Sequence, residues 1–161
     1  LKQHHQTPDV IIKLAAVLRY MLYESEGNLV SAEAEKEIML SYIDIELLRV
    51  PETDQMNFTI HIDDEYKIAP LIWLPVLENV FKHTRNVKYP IINFEFNIRQ
   101  GVLNLKCSNN YIKSNQLPEN KIGGIGLMNL RKRLELLYPK NFIINVTEEL
   151  DIYMVDIEIK L

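Results

Sequence analysis

The sequence predicts an α+β fold, a two-layer sandwich in which helices cover one face of a mixed, mostly antiparallel sheet. Three observations support this fold class. Several short stretches alternate apolar and polar residues, as strands with one buried face do. Others place apolar residues at helical spacing, and the order is helix, helix, strand, helix, strand, strand, helix, strand, strand. With 161 residues, 47% of them hydrophobic, the chain can build one good core.

The first helix is apolar almost all round. Thr7, Pro8 and Asp9 form a helix start signal, and we expect helix over Val10–Tyr23. Such a helix is either sandwiched inside the domain or part of a helical dimer interface. The chain opens without methionine, so we expect it to be a piece of a longer protein, and this favours the dimer interface.

The second helix is amphipathic. It is expected to begin near Ser31 and to end before Pro51, with Glu35 outside its apolar face. The alternating stretch Met56–Ile62 predicts a strand with one buried face, and His61 on it is expected to face solvent.

The third helix carries the first candidate site. It is predicted over Leu71–His83, with an irregular start at Pro75. A dense polar group interrupts its apolar pattern, formed by Glu78, Asn79, Lys82 and His83. Residues three and four apart share a helix face, and a carboxylate, an amide and two potential cations can hold Mg²⁺ and the phosphates it bridges. The alternative is a solvated face with an ion pair.

Two hairpins supply the remaining strands. The first joins Ile91–Ile98 to Val102–Cys107, and the second joins Phe142–Val146 to Ile152–Ile159. Between them, residues 108–122 are polar and without periodicity, which predicts a mobile loop.

A glycine cluster ends that loop. Gly123, Gly124 and Gly126 fall within four residues, and apolar residues at helical spacing follow at once from Leu127. Glycine permits a close approach of the backbone, and a helix N-terminus attracts anions, so the combination suits a phosphate. The alternative is a plain loop before an amphipathic helix.

Composition excludes several function classes. The net charge of −4 provides no broad basic surface, so nucleic acid is not expected to be a direct partner. No apolar run is long enough to span a bilayer, and no signal peptide opens the chain. Cys107, the single cysteine, is expected to be a packed, reduced thiol without a chemical role.

Three motifs in this order carry a resemblance to a known family. They are LRYMLYES at 18–25, LPVLENVFKH at 74–83 and GGIGLMNLRKRLELLYP at 123–139. Together they closely resemble LytS/YehU-type sensor histidine kinases of two-component systems, over essentially the whole chain. The resemblance implies a Bergerat (GHKL) ATP-binding domain at 51–161, preceded at 1–50 by part of the dimerisation helices and a linker helix.

The resemblance also implies residue roles. Asn79 would be the Mg²⁺ ligand of the N box, with Glu78 as polar support or a base, and Lys82 and His83 near the phosphates of ATP. The catalytic set would thus be Glu78, Asn79 and Lys82. Gly123, Gly124 and Gly126 would form the G box, continued on the helix by Leu127, Asn129 and Arg133. The loop 108–122 would be the ATP lid.

Two departures from the family pattern stand out. The phosphoacceptor histidine of the family belongs to a motif that this chain lacks, and His4 and His5 do not match it, so the fragment is not expected to autophosphorylate. In the adenine-reading D-x-G motif, Asn109 replaces the aspartate and Tyr111 the glycine. An amide still accepts a hydrogen bond from adenine, although it loses about 1 kcal/mol of charge-assisted strength, and Tyr111 could stack on the base or obstruct it.

Two functions remain open. The first is the catalytic portion of a histidine kinase, which transfers the γ-phosphoryl of Mg·ATP to an upstream histidine and then to a response regulator, possibly of the LytTR type. The implied protein is a homodimer through its N-terminal helices, with this part cytoplasmic and the full-length protein anchored in the bacterial membrane by an absent N-terminal region. The second is a degenerate kinase that acts as a dimerising signalling or binding module without ATP turnover.

Overall fold

The computed structural model describes residues 7–23, 29–50, 55–111 and 124–161. These residues form helices and strands in an α+β arrangement, as predicted. In chain order the elements are α1 Thr7–Tyr23, β1 Val30–Ser31, α2 Ala32–Leu47, β2 Met56–Ile62, β3 Lys67–Ile68, α3 Leu74–Thr84, β4 Ile92–Arg99, β5 Val102–Asn110, α4 Ile125–Leu137, β6 Phe142–Glu149 and β7 Ile152–Lys160.

A five-stranded sheet in the order β2-β4-β5-β7-β6 forms one layer. β2 and β4 are parallel, and every other neighbouring pair in this sheet is antiparallel, so the mixed, mostly antiparallel prediction is confirmed. β1 and β3 form a separate two-residue ladder that the sequence did not predict. Two residues are too short for an alternating pattern to be visible.

The core lies between one face of the sheet and the helices. Strand residues at alternate positions are buried there, and they meet Val76, Leu77, Val80 and Phe81 of α3. Each fully buried aliphatic or aromatic side chain of this kind stabilises the fold by about 1.5–3 kcal/mol. His61 is exposed on the other face, and Cys107 is buried, both as predicted. Burial raises the pKa of the Cys107 thiol to about 12.

Both hairpins have two-residue turns. Gln100 and Gly101 have φ values of 51° and 76°, and Leu150 and Asp151 have values of 49° and 65°. Positive φ at both positions is the geometry that matches the twist of the flanking strands. Gly101 adopts it without strain, whereas Leu150 carries a side chain into the left-handed region.

Several predicted boundaries are wrong, and β6, for example, continues to Glu149 and does not end at Val146. α3 begins at Leu74 and not at Leu71, because Leu71 has a φ of 56° and precedes the helix as part of a turn in which Leu74 N donates to Leu71 O over 3.3 Å. Pro75 then lies in the first helical turn, where its missing N–H costs nothing. β5 continues to Asn110 and does not end at Cys107, because its last residues pair with the start of β7.

α1 lies against α2 and is not sandwiched inside the domain, so the first of the two expectations for this helix is wrong. Val17 and Tyr20 are buried, and Lys13 forms an ion pair with Asp44 of α2. Val10 and Met21 are half-buried, and its remaining large apolar side chains are exposed, namely Ile11, Ile12, Leu14, Leu18, Leu22 and Tyr23. No helix within the described ranges is long and apolar enough to cross a membrane.

α2 belongs to the same packed unit as the sheet. Ala32, Met39 and Ile43 are part of the main core cluster. Glu35 is fully buried, although the sequence predicted it outside the apolar face. The division of the chain at residue 50 stays a prediction.

Candidate functional site: a cleft between α3 and the end of the sheet

The polar residues of α3 fall on two different faces. Glu78 and Lys82 are one helical turn apart, and so are Asn79 and His83. Neighbouring residues on a helix are rotated by about 100°, so the two pairs point in different directions. The structure therefore separates a group that the sequence presents as one cluster.

Glu78 and Lys82 line a surface pocket on the side of α2. The pocket also contains Tyr42, Glu46 and Arg85. Arg85 donates to Glu46 over 3.2 Å, and burial, together with the charges of Glu46 and Glu78, raises the pKa of Tyr42. This pocket is a charged, partly exposed surface.

Asn79 and His83 lie toward the other side, where three strands end. Asn109, Tyr153 and Glu148 are aligned across β5, β7 and β6, because Asn109 pairs with Tyr153 and Tyr153 with Glu148. The Asn79 side chain lowers the pKa of the Tyr153 hydroxyl, and the charge of Glu148 acts to raise the pKa of both Tyr153 and His83. These interactions place one side of α3 beside the strand ends, and we refer to this region, formed by Asn79, His83, Asn109, Tyr153 and Glu148, as the cleft.

The Tyr153 hydroxyl is the unusual group in this cleft. It is buried, and no hydrogen bond of good geometry joins it to another described residue, although the Asn79 side chain lies close enough to lower its pKa. Burial and the Glu148 charge raise the pKa of Tyr153 to about 12. A buried polar group without a partner costs about 1–3 kcal/mol, so such a group in a cleft indicates a place for water or a ligand.

Asn109 forms the floor of the cleft at the end of β5. Its side chain is 2% exposed, and Nδ2 donates to the carbonyl oxygen of Asn110 over 3.0 Å. With Nδ2 engaged, the side-chain oxygen serves as the acceptor. Asn110 in turn accepts from Ile91 N over 2.8 Å and donates to Tyr89 O over 2.9 Å, which fixes the loop after α3 against this strand end.

Tyr111 is held beside the cleft. Its backbone N–H donates to Asp151 O over 3.2 Å, and its hydroxyl donates to Glu148 Oε2 over 3.3 Å. The ring is thus tied to the β6–β7 hairpin. His83 nearby has its pKa lowered from the ordinary value of 6.5 by burial and by Lys82. The imidazole is therefore neutral at pH 7.

The glycine end of α4 abuts the first turn of α3. A Cβ placed on Gly126 would lie 3.4 Å from Pro75 Cβ, whereas a Cβ on Gly124 would meet no atom of the described residues within 4 Å. Gly124 precedes the helix as its N-cap residue. The close approach of Gly126 to Pro75 brings the start of α4, where the predicted phosphate loop ends, next to the helix that carries Asn79.

The other predicted site residues take different positions. Leu127 is 5% exposed and packs in the core, so only its backbone can face a ligand, and Asn129 is exposed. Arg133 acts electrostatically on Glu35. Gly123, His4, His5 and residues 112–122 of the predicted lid lie outside the described residues.

Sequence reasoning missed Tyr153 and Glu148. Tyr153 is half-buried two residues before the buried Val155 on β7, and Glu148 is exposed on the same face of β6 as the buried Ile144, four residues after it. A charged residue at an inward position of an alternating strand is a signal that could have identified Glu148.

Comparisons with known proteins concern the family and the fold of the chain. Residues 1–54 match the family model described as Histidine kinase. The histidine kinase domain of the blue-light activated histidine kinase from Erythrobacter litoralis EL346 superimposes with a TM-score of 0.56 at 15% identity, over 99% of this chain and 81% of that one. The catalytic domain of histidine kinase ThkA gives a TM-score of 0.53 at 12% identity, over 83% of this chain and 97% of that one.

Histidine kinase AdeS from Acinetobacter baumannii gives a TM-score of 0.53 at 10% identity, over 93% of this chain and 76% of that one. No curated protein matches the sequence. The structural likenesses show that the chain has the fold of histidine kinase catalytic domains, which confirms the predicted GHKL architecture.

Proposed function

We propose that this chain is the ATP-binding catalytic portion of a two-component sensor histidine kinase of the LytS/YehU type. The observation that carries the proposal is the unpartnered, buried Tyr153 hydroxyl beside Asn79, in a cleft with the buried Asn109 at its floor. The match of residues 1–54 to the histidine kinase model and the fold of the chain support it independently.

The residues at the cleft fit Mg·ATP. We assign Asn79 as the protein ligand of Mg²⁺, since an amide oxygen suits this cation. Asn109 accepts from the adenine amino group, and the backbone at Gly123, Gly124 and Gly126 approaches the phosphates. The open space beside Gly124 is consistent with that role. Bound Mg·ATP would supply the γ-phosphoryl group for transfer.

In this proposal, Lys82 and Glu78 act from the neighbouring face of α3, outside the cleft. Lys82 is exposed, and its flexible stem allows the ammonium to neutralise phosphate charge. Glu78, on the same face as Lys82, supports it electrostatically. His83 provides a neutral ring that can donate to a phosphate oxygen or become protonated beside it.

The remaining parts of the proposal concern the whole protein. Residues 1–50 belong to the dimerisation and linker region, and the exposed apolar side of α1 packs in a homodimer. The phosphoryl acceptor is a histidine upstream of this chain, so the fragment alone does not autophosphorylate. A response regulator, possibly of the LytTR type, receives the group, and a membrane anchor lies in an N-terminal region outside this chain.

A second function is favoured by one observation. The Tyr111 hydroxyl is held by Glu148 at the side of the cleft, where the family pattern has glycine. If the ring of Tyr111 obstructs the base, the chain is a degenerate kinase that works as a dimerising signalling module.

Titration of the chain with ATP by calorimetry, with and without Mg²⁺, tests the first proposal. We expect saturable, Mg²⁺-dependent binding that Asn79→Ala weakens at least tenfold without changing the thermal midpoint. Asn145→Ala, on the exposed outer side of β6, is the matched control and leaves binding unchanged. Absence of binding in the parent chain overturns the proposal and favours the module.

Phosphorylation of the longer protein separates the two functions. A kinase incorporates label from Mg·ATP on a histidine, and Asn79→Ala abolishes the label. A module shows no labelled histidine at saturating Mg·ATP.

A further inference from the structure

A buried carboxylate joins three segments of the chain. Glu35 on α2 is fully buried, and its Oε1 accepts from the Tyr20 hydroxyl of α1 over 2.5 Å. Its Oε2 accepts from Leu71 N over 2.8 Å and from Trp73 Nε1 over 2.5 Å. The first bond reaches the N-terminal helix, and the other two reach the turn that leads into α3.

We propose that Glu35 is a positioning residue that links the placement of α1 to the placement of α3, and through α3 to Asn79. The importance of this link for phosphoryl transfer rests on the proposed function. The link itself is a property of the fold and is testable without ATP.

The turn before α3 depends on side chains from elsewhere for its shape. Leu71 has a φ of 56°, a conformation that a leucine adopts only when its surroundings hold it. Glu35 holds it through the Leu71 N–H, and the hydroxyl of Tyr138, the C-cap residue of α4, accepts from Ala69 N over 2.8 Å two residues earlier. The turn is therefore clamped between α2 and α4.

Trp73 connects the turn to the helix. It is the N-cap residue of α3, and its carbonyl oxygen accepts from Val76 N over 3.1 Å and from Leu77 N over 3.0 Å. Its indole is fully buried against the Tyr42 ring at 5.6 Å between ring centroids. Because the indole N–H ends on Glu35, the first turn of α3 cannot rotate without breaking that bond. Asn79 follows six residues later, about 9 Å along the same rigid helix.

Tyr20 makes this arrangement sensitive to α1. Tyr20 is 3% exposed, and its hydroxyl bonds to the carboxylate that holds Leu71 and Trp73. Burial raises the pKa of Glu35, whereas the three donors and the more distant Arg133 lower it. A buried carboxylate depends on each of its donors, so displacement of α1 weakens the whole cluster.

The single tryptophan of the chain makes the link measurable. Nuclear magnetic resonance resolves one indole N–H signal, from Trp73, and the side-chain amide signals of Asn79 can be assigned in the same spectrum. Tyr20→Phe removes one hydroxyl from the cluster. Tyr23→Phe is the matched control, because it makes the same change on the same helix at a residue that is 71% exposed.

We expect Tyr20→Phe to shift both the Trp73 indole signal and the Asn79 amide signals, and Tyr23→Phe to shift neither. Glu35→Gln, which keeps the side-chain volume, shifts the same two signals. A shift of the indole signal with unchanged Asn79 signals overturns the proposal, because Glu35 is then a structural residue only. Unchanged signals at both positions overturn it as well.

A parallel calorimetric titration separates this proposal from the proposed function. If the parent binds Mg·ATP, we expect Tyr20→Phe to weaken binding several-fold, and unchanged affinity overturns the role of the link at the ATP site. If the parent does not bind Mg·ATP, the proposed function fails, and the Asn79 signals alone decide whether the link exists.

Discussion

Two buried polar clusters lie against α3, one before its first turn and one beside its middle, and they differ in one respect. At the start of the helix, the Glu35 carboxylate accepts three hydrogen bonds from Tyr20, Leu71 and Trp73. Farther along, the Tyr153 hydroxyl is buried beside Asn79 without a bond. The first cluster is complete within the described residues, and the second is not.

This difference distinguishes a cluster that stabilises the fold from a cluster that can bind a ligand. A completed buried network stabilises one arrangement of the chain, and removal of any member leaves the others unpaired. An incomplete one carries an energetic cost that a ligand or a water molecule can relieve. This difference supports the proposed positioning role of Glu35 and the proposed ligand binding at the Asn79–Tyr153 cleft.

Removal of Glu35 is expected to have the largest effect. Glu35→Ala leaves three buried donors unpaired, and we expect it to lower the free energy of unfolding by about 3–6 kcal/mol, measured by urea denaturation. Glu33→Ala on the same helix is the control, since its exposed pair with Lys36 contributes less than about 1 kcal/mol. Equal losses in the two variants would contradict the role of the Glu35 cluster.

Gly124→Val tests the proposed position of the ATP phosphates. A Cβ at this position meets no described residue within 4 Å, so we expect the thermal midpoint to change little. It would occupy the space proposed for the phosphates, and calorimetry should show Mg·ATP affinity reduced at least tenfold, about 1.4 kcal/mol. Binding equal to that of the parent would mean that the phosphates do not lie at this glycine.

A pair of identical changes compares the two clusters directly. Tyr20→Phe removes a donor to a buried carboxylate and should cost about 1–2 kcal/mol of unfolding free energy in urea. Tyr153→Phe removes a hydroxyl without a partner and should cost almost nothing in the absence of ligand. A larger loss for Tyr153→Phe would show that its hydroxyl is already satisfied and would remove the main support for the cleft.

The smallest expected effect is on the pH dependence of the free energy of unfolding. Burial and Lys82 lower the pKa of His83, so the unfolded state binds more protons near its own pKa of about 6.5. The free energy of unfolding should therefore fall as the pH decreases through that value, and His83→Gln should reduce this dependence. Urea denaturation at a series of pH values measures it, and an identical slope in both proteins would contradict the burial of His83.

Local patterns predicted the elements of this fold well. The alternation in Met56–Ile62 and in the two hairpins identified the strands of the large sheet, because every inward strand residue meets the same core. The β1–β3 ladder and the left-handed turn at Leu71 were not predictable, since their conformations are stabilised by contacts distant in sequence.

The candidate site was predicted only in part. The sequence identified Asn79, His83 and Asn109 as candidates, and all three lie at the cleft, where their roles in ligand binding stay predictions. It did not identify Tyr153 or Glu148, because strands β6 and β7 reach the cleft only through pairing across the sheet. It also grouped Glu78 with Asn79, which the turn of the helix separates.

The sequence by itself determined the α+β class, the succession of most elements and the motifs that resemble a histidine kinase, because each depends on residues close together in the chain. Only the tertiary structure decided which buried polar groups have hydrogen-bond partners among the described residues and which do not. Glu35 shows the reason. Its spacing on α2 suggests an exposed acid, and it is buried because α1 and the turn before α3 bring three hydrogen-bond donors to one carboxylate.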